Sequence, residues 1–176
     1  MSIVISGDGT MQQMASGGIT GGATLTAGTA VTASGTSIDF TGIPSWAKRI
    51  TVMFSGVSTS GTSNILIQLG DSGGIENTGY LGASSFCGST TSAVNFTAGI
   101  GFNTASAAFV VHGGVSIFLI GSNLWSAFGI VGRSDGAGTL QTGSSKSLSD
   151  TLTTVRITTV NGTDTFDAGS INILYE

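Results

Sequence analysis

The chain has 176 residues, of which 29 are Gly and only 8% are charged, and its formal net charge is −4. Gly, Ser and Thr together make up almost half of it, yet 40% of the residues are hydrophobic. So many poor helix formers disfavour a helical fold. Five Lys and Arg residues are too few to neutralise a row of nucleic-acid phosphates, which disfavours a nucleic-acid-binding protein. The hydrophobic content disfavours disorder.

Residues 1–35 form the first region, a Gly/Thr-rich stretch without hydrophobic periodicity. Glycine raises the entropic cost of ordering a chain, so we predict an extended N-terminal arm that is either flexible or ordered by a partner. The first eight residues contain no Lys or Arg and no long apolar run, so no secretory signal peptide is predicted. No apolar run reaches the roughly 20 residues that span a bilayer, and we expect no membrane partner.

Short strands separated by turn residues are predicted from residue 36 to residue 176. The clearest has Ile50, Val52 and Phe54 on one face, and the spacing of about ten residues between turns is typical of a sandwich. We therefore predict an all-β, antiparallel β-sandwich that is jelly-roll-like, preceded by the extended arm. The predicted strands are 37–40, 49–55, 64–69, 79–86, 94–102, 107–111, 115–120, 124–131, 153–160 and 170–175.

A stretch without any Asp, Glu, Lys or Arg separates Glu76 from Arg133. A monomeric sandwich normally carries charges on its outward strand faces, for solubility and to block edge pairing. Two interpretations remain open: a surface coated with Ser, Thr and Asn, or strands covered by neighbouring subunits, because the centres of subunit interfaces are depleted of charge. We favour the second, which makes another copy of the chain an expected partner.

The string Gly70-Asp71-Ser72-Gly73-Gly74 matches the segment around the nucleophilic serine of chymotrypsin-like proteases. That mechanism needs a histidine base and an orienting carboxylate. The single histidine, His112, follows the serine, whereas in that family it precedes it. We therefore predict a turn between strands and no catalytic site, with a serine hydrolase using Ser72 and His112 as a remote alternative.

Metal and cofactor sites are not expected, because metal sites need clusters of ligands. Cys87 is the single cysteine, and we expect it to be a small buried residue. The pair Asn161-Gly162 is a strong tight-turn signal. Asp164 and Asp167 follow it without the spacing of a calcium-binding loop, so this segment is predicted to be a turn.

Three aromatic residues are the candidate ligand or subunit contacts: Trp46, Tyr80 and Trp125. Trp46 precedes the clearest strand and Trp125 lies within a predicted strand, so a core or subunit contact is the favoured interpretation of both. Tyr80 follows the loop 76–79 and is the best candidate for an exposed contact. Rings of this kind can stack on sugars, which keeps a glycan-binding function open.

Two strings are distinctive: SIDFTGIPSWAKRITV at 37–52 and VRITTVNGTDTFDAGSINILYE at 155–176. With GVSTSGTS at 56–63 and the path from 68–70 to 79–80, they resemble a module of tail-fibre and related virion proteins of tailed bacteriophages. The resemblance covers roughly residues 36–176 and is loosest from 84 to 150. It implies a non-enzymatic, oligomeric virion component, usually a trimer in fibres, that attaches to the particle and can bind a host-surface glycan.

The expected function is therefore that of a phage virion structural protein, a tail fibre or related appendage, made in the host cytoplasm and located on the virion. We expect it to form a homotrimer and to bind other virion proteins through residues 1–35. The alternatives are a head-fibre or capsid-decoration protein and a lectin-like glycan-binding module. The module typically ends a long fibre, whereas here only the arm precedes it, so its position on the particle is open.

Overall fold

The computed structural model describes residues 25–176 together with the backbone of residues 3–5 and 11–13. All the regular elements of this part of the chain are β-strands, so the all-β prediction is confirmed. The strands are β1 (Ile3–Ile5), β2 (Met11–Gln13), β3 (Thr26–Ala27), β4 (Val31–Thr32), β5 (Ser37–Thr41), β6 (Arg49–Thr59), β7 (Ile65–Asp71), β8 (Gly74–Glu76), β9 (Leu81–Gly88), β10 (Thr91–Phe96), β11 (Ile100–Phe102), β12 (Val111–Gly121), β13 (Leu124–Arg133), β14 (Gly138–Ser147), β15 (Thr154–Thr159) and β16 (Phe166–Tyr175).

Two antiparallel sheets pack face to face as the predicted sandwich. The large sheet has the strand order β10-β9-β14-β13-β12-β6-β16-β3, and β4 also pairs with β16. The small sheet has the order β11-β7-β15-β5, and β8 pairs with β7. Strands β1 and β2 pair with each other.

The core lies between the sheets and follows the period-2 alternation of the strands. On β6, Ile50, Val52 and Phe54 all point inward and are buried, as predicted from their spacing. Phe54 meets Phe102 of the small sheet edge to face, with ring centroids 5.9 Å apart. Burial of each such side chain contributes about 1.5–3 kcal/mol to stability, which explains why the two sheets stay together without a disulfide.

The last part of the predicted arm, residues 25–35, extends the large sheet along β16. Gly28 donates its N–H to the carbonyl of Ile173 at 2.8 Å, and Ala33 donates to the carbonyl of Gly169 at 2.9 Å. Ala33 itself is buried in the core. Apart from the backbone of β1 and β2, the rest of the arm lies outside the described residues.

Two of the predicted strands are wrong. The predicted strand 94–102 is two strands in different sheets, β10 and β11. The prediction of a strand at 107–111 fails because β12 begins only at Val111. The turn predicted at Gly70–Gly74 is confirmed as the tip of a hairpin, since β8 starts at Gly74 and pairs with β7.

Strand β14 was not predicted at all, although it lies at the centre of one half of the large sheet. Its inward side chains include Thr142 and Ser144, which are small, polar and buried, so the sequence shows no apolar alternation there. Hydrogen bonding to β9 and β13 holds the strand in place instead.

Candidate functional site

The outward side of β9, β10, β12, β13 and β14 is one continuous surface without a single charged side chain, which we call the uncharged face. Pairing register and burial alternation place its residues together. The outward residues of β12, β13 and β14 include Ser116, Phe118, Ser126, Phe128, Ile130, Gln141, Gly143 and Ser145. The stretch between Glu76 and Arg133 supplies four of the five strands, so most of the charge gap in the sequence contributes to one surface in the fold.

The charged side chains that belong to these strands turn away from the uncharged face. Lys146 of β14 is buried on the inner side and pairs with Glu76. Arg133, at the end of β13, lies 3.5 Å from the ring centroid of Phe109 and pairs with Asp135. Hydrogen bonding from Arg133 holds the pKa of the Asp135 carboxyl below its usual value.

Large apolar side chains stand out from the uncharged face. We call the three that adjoin on β12 and β13, Phe118, Phe128 and Ile130, the apolar ridge, while Leu81 of β9 is 75% exposed on the same face. The rings of Phe118 and Phe128 stack, with centroids 5.6 Å apart and planes 14° apart. Phe128 is 62% exposed and Ile130 is 58% exposed. Such side chains on a sheet surface are costly to leave in water unless a partner covers them.

Small residues beside the ridge leave a shallow groove over β9, β10 and β14. The cross-strand register places Ser85 and Ala93 in line with Gln141, and Ala83 in line with Gly143. Two adjoining depressions, of about 300 and 540 Å³, share Ser85, Ala93 and Gln141 in their lining. Ridge and groove therefore lie side by side on one face.

The outward side of the small sheet is polar and carries charge. The guanidinium of Arg156 donates two hydrogen bonds of 2.7 Å to the carboxylate of Asp39, across β15 and β5. The hydrogen bonds that Arg156 donates to Asp39 raise the pKa of Arg156. A groove of about 310 Å³ runs beside this pair, and we call it the polar groove. Its lining includes Ser37, Gln68, Asn77, Arg156, Thr158 and Val160.

Trp46 and Trp125 occupy opposite environments. Trp46 lies in the loop before β6, is 47% exposed, and packs its ring against Tyr175 at a centroid distance of 5.7 Å. Trp125 points inward from β13 and is buried in the core. The core interpretation of Trp125 is therefore the one the structure supports, while a ligand contact at Trp46 stays a prediction.

Tyr80 is not the exposed contact that the sequence predicted, because its side chain is fully buried. Its hydroxyl accepts the N–H of Leu69 at 2.7 Å and donates to the carbonyl of Glu76 at 3.0 Å. Burial raises the pKa of Tyr80. The glycine-rich loop before it suggested exposure, but the ring bridges β7 of the small sheet and the start of β9 in the large sheet.

Ser72 and His112 have different hydrogen-bond partners, so they do not form a catalytic pair. Ser72 donates to Asp150 at 3.4 Å. The Nδ1 atom of His112 accepts the N–H of Gly56 at 3.1 Å, which places the proton of the neutral ring on Nε2, 3.0 Å from the hydroxyl of Ser134. In this tautomer the ring donates to Ser134 and cannot remove its proton.

A cluster of carboxylates closes the end of the sandwich near the β7–β8 hairpin. The carboxylate of Asp71 accepts the hydroxyl of Ser149 at 2.6 Å and the N–H of Gly73 at 2.8 Å, and these bonds lower the pKa of Asp71. Glu76 accepts hydrogen bonds from Lys146 and from the N–H of Ser149, which lower its pKa. These hydrogen bonds connect the chain after β14 to the hairpin. The carboxylates of Asp71 and Glu76 are therefore already used in structural hydrogen bonds.

The turn predicted at Asn161-Gly162 is confirmed, with Gly162 at φ +67°. Asp164 accepts hydrogen bonds from the amide of Asn161 and from the N–H of Ser63, both of which lower its pKa. The carboxylate of Asp164 therefore stabilises the turn.

Two of these observations could not be read from residue type alone. The apolar ridge was missed because the run 124–131 is apolar at both alternating positions, so its outward members could not be told from core residues. Cys87, expected to be buried, is exposed, because it points outward on β9 beside the shallow groove.

Comparison of this chain with family models, with curated proteins and with solved structures gave no significant match. Among the described residues, His, Cys, Asp and Glu side chains nowhere gather in a group of three that could hold a metal ion. The same part of the chain has no helix that is long and apolar enough to cross a membrane.

Proposed function

We propose that this chain is a non-enzymatic structural component of a bacteriophage virion that self-associates through the uncharged face. The observation that carries the proposal is the apolar ridge on a surface without charge, since exposed apolar patches of this kind mark association sites. The resemblance of residues 36–176 to a phage fibre module supports the virion context. That module implies a trimer.

The hydrogen bonds of His112 support the non-enzymatic part of the proposal. A serine nucleophile needs a base that accepts its proton, and in the structure His112 donates towards Ser134 while Ser72 bonds to Asp150. The residues of the protease-like string serve the hairpin between β7 and β8.

Attachment to the particle is assigned in this proposal to the N-terminal arm, and the structure sharpens how that is tested. Removing all of residues 1–35 would also remove β3, β4 and the buried Ala33. Removing residues 1–24 leaves that packing intact. The shorter deletion should give a folded, self-associating protein that no longer joins particles, and unchanged incorporation would contradict the role of the arm.

Light scattering coupled to size-exclusion chromatography tests the self-association. We expect a mass that is a multiple of 17.5 kDa, and electron microscopy of assembled particles should then locate the protein on the tail or the head. A monomer across the micromolar range would contradict the proposal.

A second function, glycan binding, is favoured by the polar groove. Its lining offers amides and hydroxyls, the charge of Arg156 is matched by Asp39, and Val160 is 53% exposed at its rim. Such a lining suits a neutral polyhydroxyl ligand. A glycan array with the full chain should show hits that Gln68→Ala or Asn77→Ala removes. Hits that both variants keep would contradict this site.

A further inference from the structure

We infer that two copies of this chain meet with the apolar ridge of one copy seated in the shallow groove of the other. This inference rests on the proposed function, because it names the contact through which self-association occurs. The occupant of the groove is therefore a second copy of the same chain.

Charge selects this occupant. The uncharged face itself offers no ion pair, and the bordering Arg49, which lies over the ring of Phe118, is already paired with Glu176. A matching surface must therefore itself lack charge and carry large apolar side chains. The ridge fulfils both conditions, since Phe128 and Ile130 stand out among small uncharged neighbours. Ser116 and Gly143 flank Phe128 across the sheet, while Gly114 and Gln141 flank Ile130.

The area agrees with a stable contact. Strands β9, β10, β12, β13 and β14 are spaced by about 4.8 Å and rise about 3.3 Å per residue, so together they present roughly 700 Å². A standard interface buries roughly 600–1,000 Å² on each partner. The uncharged face is thus large enough for one specific interface.

The positions of ridge and groove make the face self-complementary. The ridge runs along β12 and β13, the groove is centred near β9, and β14 lies between them. A two-fold axis along β14 places each ridge over the partner's groove in one interface. In a ring, each ridge enters the groove of the next copy. Both arrangements use the same contact.

Paired variants on the full chain test the contact. Phe128→Lys puts a charge on the ridge, and Gly143→Glu fills the groove; both sites accept the change in a single copy, because Phe128 is mostly exposed and a side chain at Gly143 meets no atom within 4 Å. The matched control is Thr41→Lys on the exposed outer side of β5. Circular dichroism confirms that each variant is folded.

Each ridge or groove variant alone should weaken self-association at least about thirty-fold, as at an interface hot spot, whereas Thr41→Lys should behave like the wild type. An equimolar mixture of Phe128→Lys and Gly143→Glu should recover a 1:1 pair, because the intact ridge of one meets the intact groove of the other. Analytical ultracentrifugation measures both results.

Three results would overturn the inference. If the wild type associates and both variants associate equally well, the contact lies elsewhere and the proposed function survives. If the mixture stays monomeric, ridge and groove do not meet. If the wild type itself is a monomer, the inference and the self-association in the proposed function fail together.

Discussion

The two outer faces of this sandwich expose different kinds of side chain to solvent. The small sheet presents polar side chains and an ion pair between Asp39 and Arg156, with Gln68 in the same cross-strand row. The uncharged face of the large sheet presents Phe128 and Ile130 among Gly, Ser and Ala residues. Of the five Lys and Arg side chains, only Arg49 reaches its edge, where the guanidinium lies 5.9 Å from the ring centroid of Phe118 and pairs with Glu176.

This difference shows that the low charge of the chain is a local property. A generally bland surface would spread its few charges over both sheets, whereas here Arg133 and Lys146 belong to strands of the uncharged face and still turn off it. Outward charges are a common protection of sheets against association. The small sheet keeps that protection, and the uncharged face of the large sheet lacks it.

The largest expected change in stability comes from the buried hydroxyl of Tyr80. Because it lies inside the sandwich and on neither outer face, its loss should affect folding and leave association unchanged. Tyr80→Phe leaves the N–H of Leu69 and the carbonyl of Glu76 without their partner. Loss of these buried hydrogen bonds should lower the free energy of unfolding by about 1–3 kcal/mol. Urea unfolding measures this loss.

The oligomeric mass of Tyr80→Phe should be unchanged, since Tyr80 contributes to neither outer face. Tyr175→Phe, which removes a hydroxyl at a half-buried position, is the matched control. A Tyr80→Phe variant as stable as the wild type would show that the hydroxyl is not a structural bond between the sheets.

The next effect is protection of Cys87, which is exposed beside the shallow groove in a single copy. Self-association should cover it and slow its reaction with a maleimide about fivefold at a total protein concentration near ten times the dissociation constant, where about a fifth of the chains are still monomeric. Phe128→Lys should restore fast labelling. Equal rates in wild type and variant would place Cys87 outside the contact.

Acid should act on the carboxylate cluster. The folded pKa values of Asp71 and Glu76 lie below their ordinary values of about 4. Their contribution to stability is therefore complete above that pH and is lost as the pH falls through the folded pKa values. Thermal melts between pH 5 and pH 3 should show a falling midpoint.

The variant Asp71→Asn sharpens this prediction. It should be less stable than the wild type at pH 7, and the difference should shrink towards pH 3 as Asp71 of the wild type becomes protonated. A constant difference across this range would mean that the hydrogen bonds from Ser149 and Gly73 do not depend on the charge of Asp71.

The smallest effect belongs to the ion pair of the small sheet. Arg156→Ala should lower the free energy of unfolding by about 0.5–1 kcal/mol, because the pair is bidentate but partly exposed. A double-mutant cycle with Asp39→Ala isolates the coupling, which should weaken in high salt. A change of oligomeric mass in Arg156→Ala would contradict the claim that the outer face of the small sheet takes no part in self-association.

The fold class could be predicted because alternation survives wherever one strand face is apolar and the other polar. That condition holds for β6 and β15, whose predicted positions are confirmed. It fails for β14, whose inward Thr142 and Ser144 are as polar as its outward residues. Such a strand is specified by its neighbours, which a linear pattern does not contain.

The candidate site could be predicted only in part, for a related reason. Absence of charge between Glu76 and Arg133 pointed to a surface, but Phe128 and Ile130 could not be assigned to a side of β13 without the register. Tyr80 was placed outside because its loop is polar, although its hydroxyl finds two backbone partners inside. Side-chain direction, more than residue type, decided each case.

The pairing of β3 with β16 places the start of the sandwich and the shallow groove at opposite edges of the large sheet. Strand β3 lies at the opposite edge of the large sheet from β10, seven strand steps away, or about 34 Å. A tag, dye or folded cargo joined ahead of residue 25 would therefore emerge far from the shallow groove. The sandwich offers a display scaffold on which cargo and assembly need not compete for space.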